Sequence, residues 1–220
     1  SKTPYLWGQT KLGAEQDVWE SLDKYARKAV RRSERDGVSV RELTEKDVDA
    51  LYALYLSGMK GFGSPPMAKK FFERFFSHLV QKGLGRAFGA FAGEKLAAVL
   101  LGYTFQNRIH VIVNVSDESK RGLFVNDAVH WAFMQWGCRN GFAVFDWGRV
   151  REESGQHQFK KKWATVFQKL YHYYALAPGK KVPNADPTKG ANRLLARAFK
   201  LVPTPLSRRV GPWLREGLGI

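Results

Sequence analysis

One segment in the last third of the chain combines side chains that recognise anions and activate esters. Asp146 and Gly148 close a short apolar run, predicted to be a buried strand over 143–147. A polar loop follows, and then a basic turn of helix that contains Phe159, Lys160 and Lys161. Helix N-termini and lysines both favour negative charge, and a cation can stabilise a developing oxyanion. The spacing therefore predicts an anion-binding site that contains Asp146 and Lys160.

The same residues also have a plainer interpretation. Lysines beside Phe159 and Trp163 fit a solvated basic helix whose aromatic side chains face the core. Asp146 fits a structural ion pair with Arg149 as well as it fits a group that orients an amine nucleophile. His157 is a candidate base, although a lone exposed histidine more often has no catalytic role. The residue types alone leave both interpretations open.

Other polar aromatic residues give weaker signals. His110 and His130 fall in predicted core elements, so we interpret them as packing residues with satisfied hydrogen bonds. Tyr171 and Tyr173 alternate with their neighbours in a predicted final strand. Because side chains alternate between the faces of a strand, one set is expected to pack inward and the other to line a groove. Tyr173 is therefore a candidate substrate-binding residue.

The positive charge is concentrated in the last third of the chain. The net charge is +16, and residues 147–220 hold 15 Lys and Arg against 4 Asp and Glu. We expect a basic surface that includes Lys160, Lys161, Arg193 and Arg197. Such an excess favours an anionic partner: a nucleic acid, a nucleotide-linked substrate or an anionic membrane surface.

A second basic stripe lies near the N-terminus. Arg27, Arg31 and Arg35 recur every four residues on a predicted helix. The plain interpretation is a solvated face, partly paired with Glu20, Asp23 and Glu34.

Several function classes are excluded or disfavoured. The single Cys138 rules out an internal disulfide and fits a reducing compartment. The histidines and the cysteine have no zinc-ligand spacing, so no metal is expected. No apolar run approaches the roughly 18 residues of a membrane span, and residues 1–20 lack the pattern of a signal peptide. We therefore expect a cytoplasmic protein that is able to associate with a membrane surface. Because the chain begins with Ser1, we also expect it to be a trimmed or partial protein.

Hydrophobic periodicity and turn residues predict an α/β fold with a mixed central sheet flanked by helices. The predicted helices and strands, in order, are helix 14–36, strand 38–42, helices 44–60 and 68–81, strands 86–92, 95–105 and 108–115, helix 125–139, the Asp146 strand, the lysine helix and the tyrosine strand. Two short basic helices are predicted over 192–201 and 206–217. Composition divides the chain into an N-terminal helical segment (1–37), a central domain (38–177) and a basic Pro- and Gly-rich tail (178–220).

This order, and several local motifs, resemble a known family. The order of elements is that of the GNAT acyltransferase fold. The runs FDWGR and HQFKKKWATVFQKLYHYY resemble the C-terminal half of the Fem-type aminoacyl and acyl transferases. RKAVRRSERDGVSV and the GSPP loop resemble the opening of their second domain. The tail resembles that of the FemAB-related proteins associated with the PEP-CTERM exopolysaccharide and sorting system.

The resemblance implies roles for particular residues. Phe159 and Lys160 match the family's Phe-Lys pair, in which the aromatic ring supports the donor's terminal adenosine and the lysine stabilises charge on the ester carbonyl. Lys161 and Arg149 are implied donor-binding residues beside them.

A second implied donor site precedes the predicted helix at 125. Arg121 and Gly122 resemble the GNAT pyrophosphate turn, which would make them donor-binding residues. However, Phe124 and Val125 stand where GNAT enzymes have small residues that let the backbone approach phosphate. This departure argues against ordinary acetyl-CoA binding and leans toward the Fem-type relatives, which take aminoacyl-tRNA.

The implied function is the transfer of an acyl or aminoacyl group to an amine on a cell-envelope or exopolysaccharide-linked substrate, with aminoacyl-tRNA or an acyl-CoA as donor. Two alternatives stay open. One is a non-catalytic anion-binding module for RNA or an anionic membrane, and the other is a conventional acetyl-CoA-dependent N-acetyltransferase. Fem-type enzymes carry two such domains with the substrate cleft between them, whereas this chain has the length of one domain plus the tail. We therefore expect a missing N-terminal domain to contribute to the acceptor site.

Overall fold

A computed structural model describes residues 5–171, 173, 175, 177, 179 and 190–218. Its strands are β1 (Tyr5–Lys11), β2 (Val38–Glu42), β3 (Gly85–Ala92), β4 (Lys95–Phe105), β5 (Arg108–Ser116), β6 (Val144–Arg151) and β7 (Val166–Lys169). Its helices are α1 (Glu15–Ser21), α2 (Lys24–Arg35), α3 (Val48–Phe62), α4 (Lys69–Phe75), α5 (Val125–Arg139), α6 (Gly155–Lys161), α7 (Gly190–Leu201) and α8 (Thr204–Leu218). The predicted α/β fold with a mixed sheet is confirmed.

The seven strands form one sheet in the order β2-β3-β4-β5-β6-β1-β7. All neighbouring pairs are antiparallel except β5 and β6, which run parallel. The parallel register is short: it joins Arg108 to Val144, Ile109 to Phe145 and His110 to Asp146. Beyond that last pair, β5 continues beside β4 and β6 continues beside β1. The sheet therefore consists of two halves that meet at one end and separate at the other.

Helices cover the two faces of the sheet with two separate hydrophobic clusters. On one face, α1, α2 and α5 bury side chains such as Val30, Val129 and Phe133 against the strands. On the other face, α3 and α4 bury Tyr55 and Phe72 against the central strands. Strand side chains alternate between these clusters, as the period of two requires. Each side chain of β6, including that of Asp146, is thus directed to one face of the sheet or the other according to its position in the strand.

The C-terminal helices pack on α3 and the loop that follows it. The Arg215 guanidinium donates to the Pro65 carbonyl at 3.0 Å, and the Gly211 backbone lies so close to the Pro66 ring that an added Cβ would be 2.3 Å from it. The two predicted basic helices of the tail are therefore confirmed and are docked onto the domain. Among the described residues, no helix is both long and apolar enough to cross a membrane.

Some sequence predictions are confirmed by the structure. The strands predicted over 95–105 and 108–115 are adjacent and antiparallel, and α5 packs on one face of the sheet. The predicted capping box is present, with the Asp47 carboxylate accepting the Thr44 backbone N–H at 2.8 Å. These elements have strong local signals in the sequence.

Other predictions are wrong in detail. The single helix predicted over 14–36 is two helices, because Asp23 adopts an extended conformation and caps α2 by accepting the Tyr25 N–H. The final strand is β7, which ends at Lys169, so Tyr171 and Tyr173 follow the strand; His172 and Tyr174 lie outside the described residues. The N-terminal segment is not only helical, because it begins with β1. The domain division after residue 37 stays a prediction, although α2 and β2 contribute to one hydrophobic cluster.

The first strand, which the sequence analysis missed, is fixed to the site by one hydroxyl. Thr10 is 1% exposed. Its hydroxyl donates to the Trp163 carbonyl at 2.9 Å and accepts the Trp147 indole N–H at 2.9 Å. β1 is thereby tied both to β6 and to the turn after α6.

We predict that Thr10→Val, which keeps the shape but removes the hydroxyl, destabilises the fold by about 1–3 kcal/mol, because it leaves a buried indole N–H and a buried carbonyl unpaired. The measurement is urea unfolding. The matched control is Thr104→Val on β4, where the exposed hydroxyl shares the Leu84 carbonyl with a backbone N–H; its effect should stay within about 0.5 kcal/mol. Equal effects of the two variants would contradict this role of Thr10.

Candidate active site

The candidate site lies where β5 and β6 part. His110 and Asp146 form the last residue pair between the two strands. One residue further on, β5 contains a bulge: Val111 and Val113 pair with successive residues of β4, and Ile112 between them is unpaired. A bulge bends its strand and increases the local twist. The bulge therefore helps to turn β5 away from β6 and opens a wedge whose apex is His110 and Asp146.

Asp146 is a buried carboxylate with two hydrogen-bond donors and a close histidine contact. It is 2% exposed. One oxygen accepts the Gly148 backbone N–H at 2.8 Å. The other oxygen lies 3.2 Å from the Trp7 indole nitrogen and 3.2 Å from Nδ1 of His110. Buried charges require such partners, so this network is what holds the carboxylate at the apex.

The Asp-x-Gly spacing has a local structural cause. The Asp146 side chain bonds to the backbone two residues on, and Gly148 has φ of 65°. At the same point the β1–β6 register shifts between Gly8 and Gln9. A left-handed backbone conformation is readily accessible only to glycine. The motif thus builds a bulge that aims Asp146 at His110.

The predicted ion pair between Asp146 and Arg149 is wrong. Arg149 is exposed, and its guanidinium lies 4.7 Å from the centre of the Tyr5 ring. Asp146 contacts His110 and Trp7 instead, whereas Arg149 pairs in register with Trp7 of β1 and packs on Tyr5.

Lys160 is directed into the protein. Its ammonium donates to the Trp147 carbonyl at 2.9 Å. Burial lowers the pKa of Lys160 from its usual value to about 8, and the negative charge of Asp146 partly opposes this shift. The solvated-helix interpretation therefore fails for Lys160, although it holds for Lys161, which is exposed. Lys160 is also not part of an exposed basic surface.

Phe159 packs on the helical side of β6. Its ring lies 6.3 Å from the Trp147 ring and 5.1 Å from His130, measured between centroids. The Lys162 ammonium lies 4.4 Å from the Phe159 ring centre and forms a short ion pair with Asp127. Lys160 and Phe159 thus both lie beside residues 146–147 of β6. However, the Asp146 carboxylate and the Phe159 ring lie on opposite faces of the sheet. Stacking of a base on Phe159 would require Lys162 to move.

The buried histidines on the helical side have structural roles. Burial lowers the pKa of His130 to about 3, so its imidazole is neutral near neutral pH. Its Nδ1 lies 2.6 Å from the Asn126 carbonyl and its Nε2 lies 2.8 Å from the Asn114 amide, so both nitrogens are satisfied as predicted. His157 is buried rather than exposed, and its Nδ1 accepts the Glu153 backbone N–H at 3.1 Å. It does not face the Asp146 carboxylate.

The predicted pyrophosphate turn has an unusual backbone. Phe124 caps α5 with φ of 54°, and Val125 is 1% exposed. The Arg32 guanidinium lies 5.5 Å from the Phe124 ring centre. Arg121 and Gly122 are exposed just before this cap. The two bulky residues thus remain at the helix start, where small residues would be needed for close approach of the backbone to phosphate.

The remaining predicted binding residues lie at the surface. Tyr173 is 92% exposed, Arg197 is exposed on α7, and the Arg193 side chain lies outside the described residues. Their roles stay predictions.

A basic groove runs along α2. It has a volume of about 310 Å³ and is lined by Lys24, Arg27, Lys28, Arg31, Arg32 and Arg35. The predicted pairing with Glu20, Asp23 and Glu34 is wrong: Arg27 donates to main-chain carbonyls of the α1 end, and Arg32 pairs with Asp36. The start of α2 adjoins the site, because the Asp23 N–H donates to the Lys162 carbonyl at 3.0 Å.

Sequence reasoning missed the apex partners of Asp146. His110 was interpreted as a satisfied core residue, but its side chain is 21% exposed and bonds to Asp146. Trp7 was missed together with β1. The sequence does contain a signal for this pair. His110 and Asp146 are each the third residue of their strands, β5 and β6. Parallel neighbouring strands in register bring such equivalent positions together.

Comparison with known proteins places this geometry in a family. The family model described as "Acetyltransferase (GNAT) domain" matches residues 21–161, more than half of the chain. No curated protein matches the chain significantly in sequence. Among solved structures, FemX has a TM-score of 0.68 at 12% identity, over 76% of this chain and 60% of that one. The C-terminal domain of a putative lysylphosphatidylglycerol synthetase from Agrobacterium fabrum has a TM-score of 0.57 at 14% identity, over 75% and 58% of the two chains.

A third solved structure is a smaller protein. An aminoglycoside acetyltransferase from an uncultured soil metagenomic sample, solved in complex with sisomicin, has a TM-score of 0.51 at 14% identity and covers 64% of this chain and 97% of that one. This chain therefore spans about 60% of the length of FemX but almost the whole of the smaller transferase. The predicted Fem-type and GNAT relationship is confirmed in the fold.

We predict that Asp146→Asn lowers the pKa of Lys160 further below about 8. Burial already disfavours the ammonium, and the substitution removes the negative charge that favours it. The measurement is NMR titration of lysine labelled at Cε, with Lys160→Arg used for assignment. Asp127→Asn is the matched control, because that buried carboxylate pairs with Lys162. A Lys160 titration that Asp146→Asn leaves unchanged would show that the two groups are not coupled.

Proposed function

The chain belongs to the acetyltransferase (GNAT) domain family, and we propose that it is a transferase that moves an acyl or aminoacyl group from an ester or thioester donor to an amine. The observation that carries this proposal is the wedge between β5 and β6. Lys160 approaches residues 146–147 from the helical side, and Asp146 and His110 close the apex. A reacting carbonyl placed in the wedge would thus have a cation on one side and a hydrogen-bonded carboxylate on the other.

The chemistry of such a site needs no covalent intermediate. The amine attacks the donor carbonyl directly, and negative charge develops on the carbonyl oxygen. A cation in a partly buried site stabilises that charge more than it would in water, because the surroundings screen it less. Lys160 is suited to this role below about pH 8, where it carries its charge. Asp146 holds the apex in position through its hydrogen bonds to Gly148 and Trp7 and its contact with His110.

The donor that these features support is an aminoacyl-tRNA. Phe124 and Val125 occupy the helix start where a CoA pyrophosphate would need small residues. The groove along α2 presents six cations beside the end of α6. A helix of 12 residues is about 18 Å long, which matches several successive phosphates of a nucleic acid backbone better than a single pyrophosphate.

The acceptor we propose is an amine on a cell-envelope or exopolysaccharide-linked substrate. The docked tail supports action at an anionic membrane surface, because Leu201 and Trp213 are exposed beside exposed Arg197 and Arg209. Helices that combine apolar and basic side chains in this way bind the interface of anionic membranes. The same surfaces also suit the alternative of a non-catalytic anion-binding module, so a transfer assay decides between the two functions.

We predict that Lys160→Ala reduces transfer about 100-fold or more, since loss of one oxyanion-stabilising group typically costs that much. The measurement is single-turnover transfer from aminoacyl-tRNA, and in parallel from acetyl-CoA, to a panel of amines. Lys161→Ala is the matched control, because it removes the adjacent exposed lysine. Wild-type transfer should fall above about pH 8 as Lys160 loses its proton, and Lys160→Arg should abolish that fall while restoring only part of the rate.

Equal activity of the Lys160 and Lys161 variants would contradict the role of Lys160. Binding of aminoacyl-tRNA without transfer to any amine would favour the binding-module alternative. Transfer from acetyl-CoA alone would favour the conventional acetyltransferase.

We also predict that reversing two charges in the α2 groove, with Lys28→Glu and Arg35→Glu together, weakens tRNA binding and flattens its dependence on salt. Each phosphate contact releases counterions, so losing contacts reduces the slope of affinity against salt. The measurement is fluorescence anisotropy with labelled tRNA between low and physiological salt. The control reverses the same number of charges in the tail, with Arg197→Glu and Arg209→Glu. A larger loss in the control would place the nucleic acid on the tail instead.

A further inference from the structure

His110 closes the apex of the wedge together with Asp146, and the function proposed above gives it no step in the reaction. It forms the last residue pair with Asp146 before β5 and β6 separate. Its neighbour Ile109 is fully buried in the cluster beneath α5, so the imidazole of His110 lies on the opposite face. Lys160 and the donor-side helices approach from the α5 face. His110 therefore lies on the face from which an acceptor would reach a carbonyl held in the wedge.

The contact with Asp146 favours one tautomer of the imidazole. Nδ1 lies 3.2 Å from a carboxylate oxygen that also accepts the Trp7 indole N–H. A neutral ring is therefore favoured with its proton on Nδ1, next to the carboxylate, which leaves the lone pair on Nε2. Among the described residues, the contacts of the His110 ring are with Asp146 through Nδ1 and with Tyr103 through its face, and no hydrogen-bond partner is found for Nε2. Tyr103 stacks on the ring, with centroids 4.9 Å apart, and prevents it from turning.

The charged and titratable groups around His110 are few. Asp146 faces it from β6 and Tyr103 from β4. Arg108 on its own strand lies 2.7 Å from the side-chain amide of Gln9 on β1, whose oxygen accepts from the guanidinium when the amide is flipped. Lys160 acts on the same network through Asp146. Among the described residues, the carboxylate beside the ring is therefore that of Asp146.

We propose that Nε2 of His110 accepts the proton of the acceptor amine, with Asp146 as the residue that positions it. This inference rests on the proposed function, because it assigns the base of that reaction. It also identifies Tyr103 as a positioning residue that keeps the imidazole plane at the apex.

The proposed step balances as follows. An acceptor that arrives as an ammonium loses one proton to Nε2 of His110, which later releases it to water. The free amine forms the new C–N bond to the donor carbonyl, and the C–O bond of an ester, or the C–S bond of a thioester, breaks. The second proton of the attacking nitrogen ends on the leaving alcohol or thiol. No oxidant or metal is needed.

The test compares the kcat/KM for the acceptor of the wild type with that of His110→Gln, with aminoacyl-tRNA as the donor. The ratio of the two values is measured from pH 5 to pH 9. General base catalysis contributes about 100-fold or more, so the ratio should be at least that large at high pH. It should fall toward one as the pH is lowered, because a base that has been protonated cannot accept the proton of the amine. Protonation of the acceptor itself affects both proteins and cancels in the ratio. His78→Gln, at an exposed histidine, should give a ratio near one throughout.

A purely structural role of His110 predicts a ratio that does not change with pH, and that result would overturn the inference while leaving the transferase function intact. Asp146→Asn should lower the rate yet keep the pH-dependent ratio in part, because the base is still present but less well oriented. A wild-type chain that transfers no group from any donor to any amine would overturn the proposed function, and this inference with it. Folding of each variant is checked by thermal unfolding.

Discussion

The short parallel contact between β5 and β6 is the constraint on which the site depends. Only three residue pairs join the two strands, and the last of them is His110 with Asp146. A longer ladder would fill the wedge with backbone hydrogen bonds, and a shorter one would disconnect the halves of the sheet. Two bulges, at Ile112 in β5 and near Gly148 in β6, turn the strands to their antiparallel neighbours. The backbone therefore leaves one opening in the sheet and places two polar side chains at its closed end.

The sheet separates the proposed donor-binding residues from His110 and Asp146, because the two groups lie on opposite faces. Phe159, the Lys162 ion pair and the α2 groove lie with the helices that pack under α5, where the donor is proposed to bind. His110 and Asp146 lie on the other face. Because β6 alternates its side chains, adjacent positions 146 and 147 serve opposite sides. This division allows a donor and an acceptor to approach one carbonyl without competing for space.

The sequence alone predicts the helices and strands that have strong local patterns. It does not predict which of them pair over long distances in the chain. The hairpin of β4 and β5, the α5 helix and the Phe159–Lys160 pair are readable because alternation, helical period and motif are local. β1 was missed because its short strand contains Gly8, whose close approach to Phe167 is a tertiary requirement. The partnership of His110 with Asp146 depends on the parallel register across α5, and periodicity does not encode register. Local chemistry was thus predicted, but its partner was not.

Asp146 connects the two sides of the site through electrostatics as well as position. Its charge favours the protonated form of Lys160 on the donor side, and on the acceptor side its carboxylate lies 3.2 Å from Nδ1 of His110. In the proposed reaction, the proton that His110 receives would lie beside the same carboxylate. The cation proposed to stabilise the oxyanion and the base proposed to accept the proton therefore both lie beside one buried carboxylate. Such coupling means that the pH dependence of the reaction belongs to the three residues together rather than to any one of them.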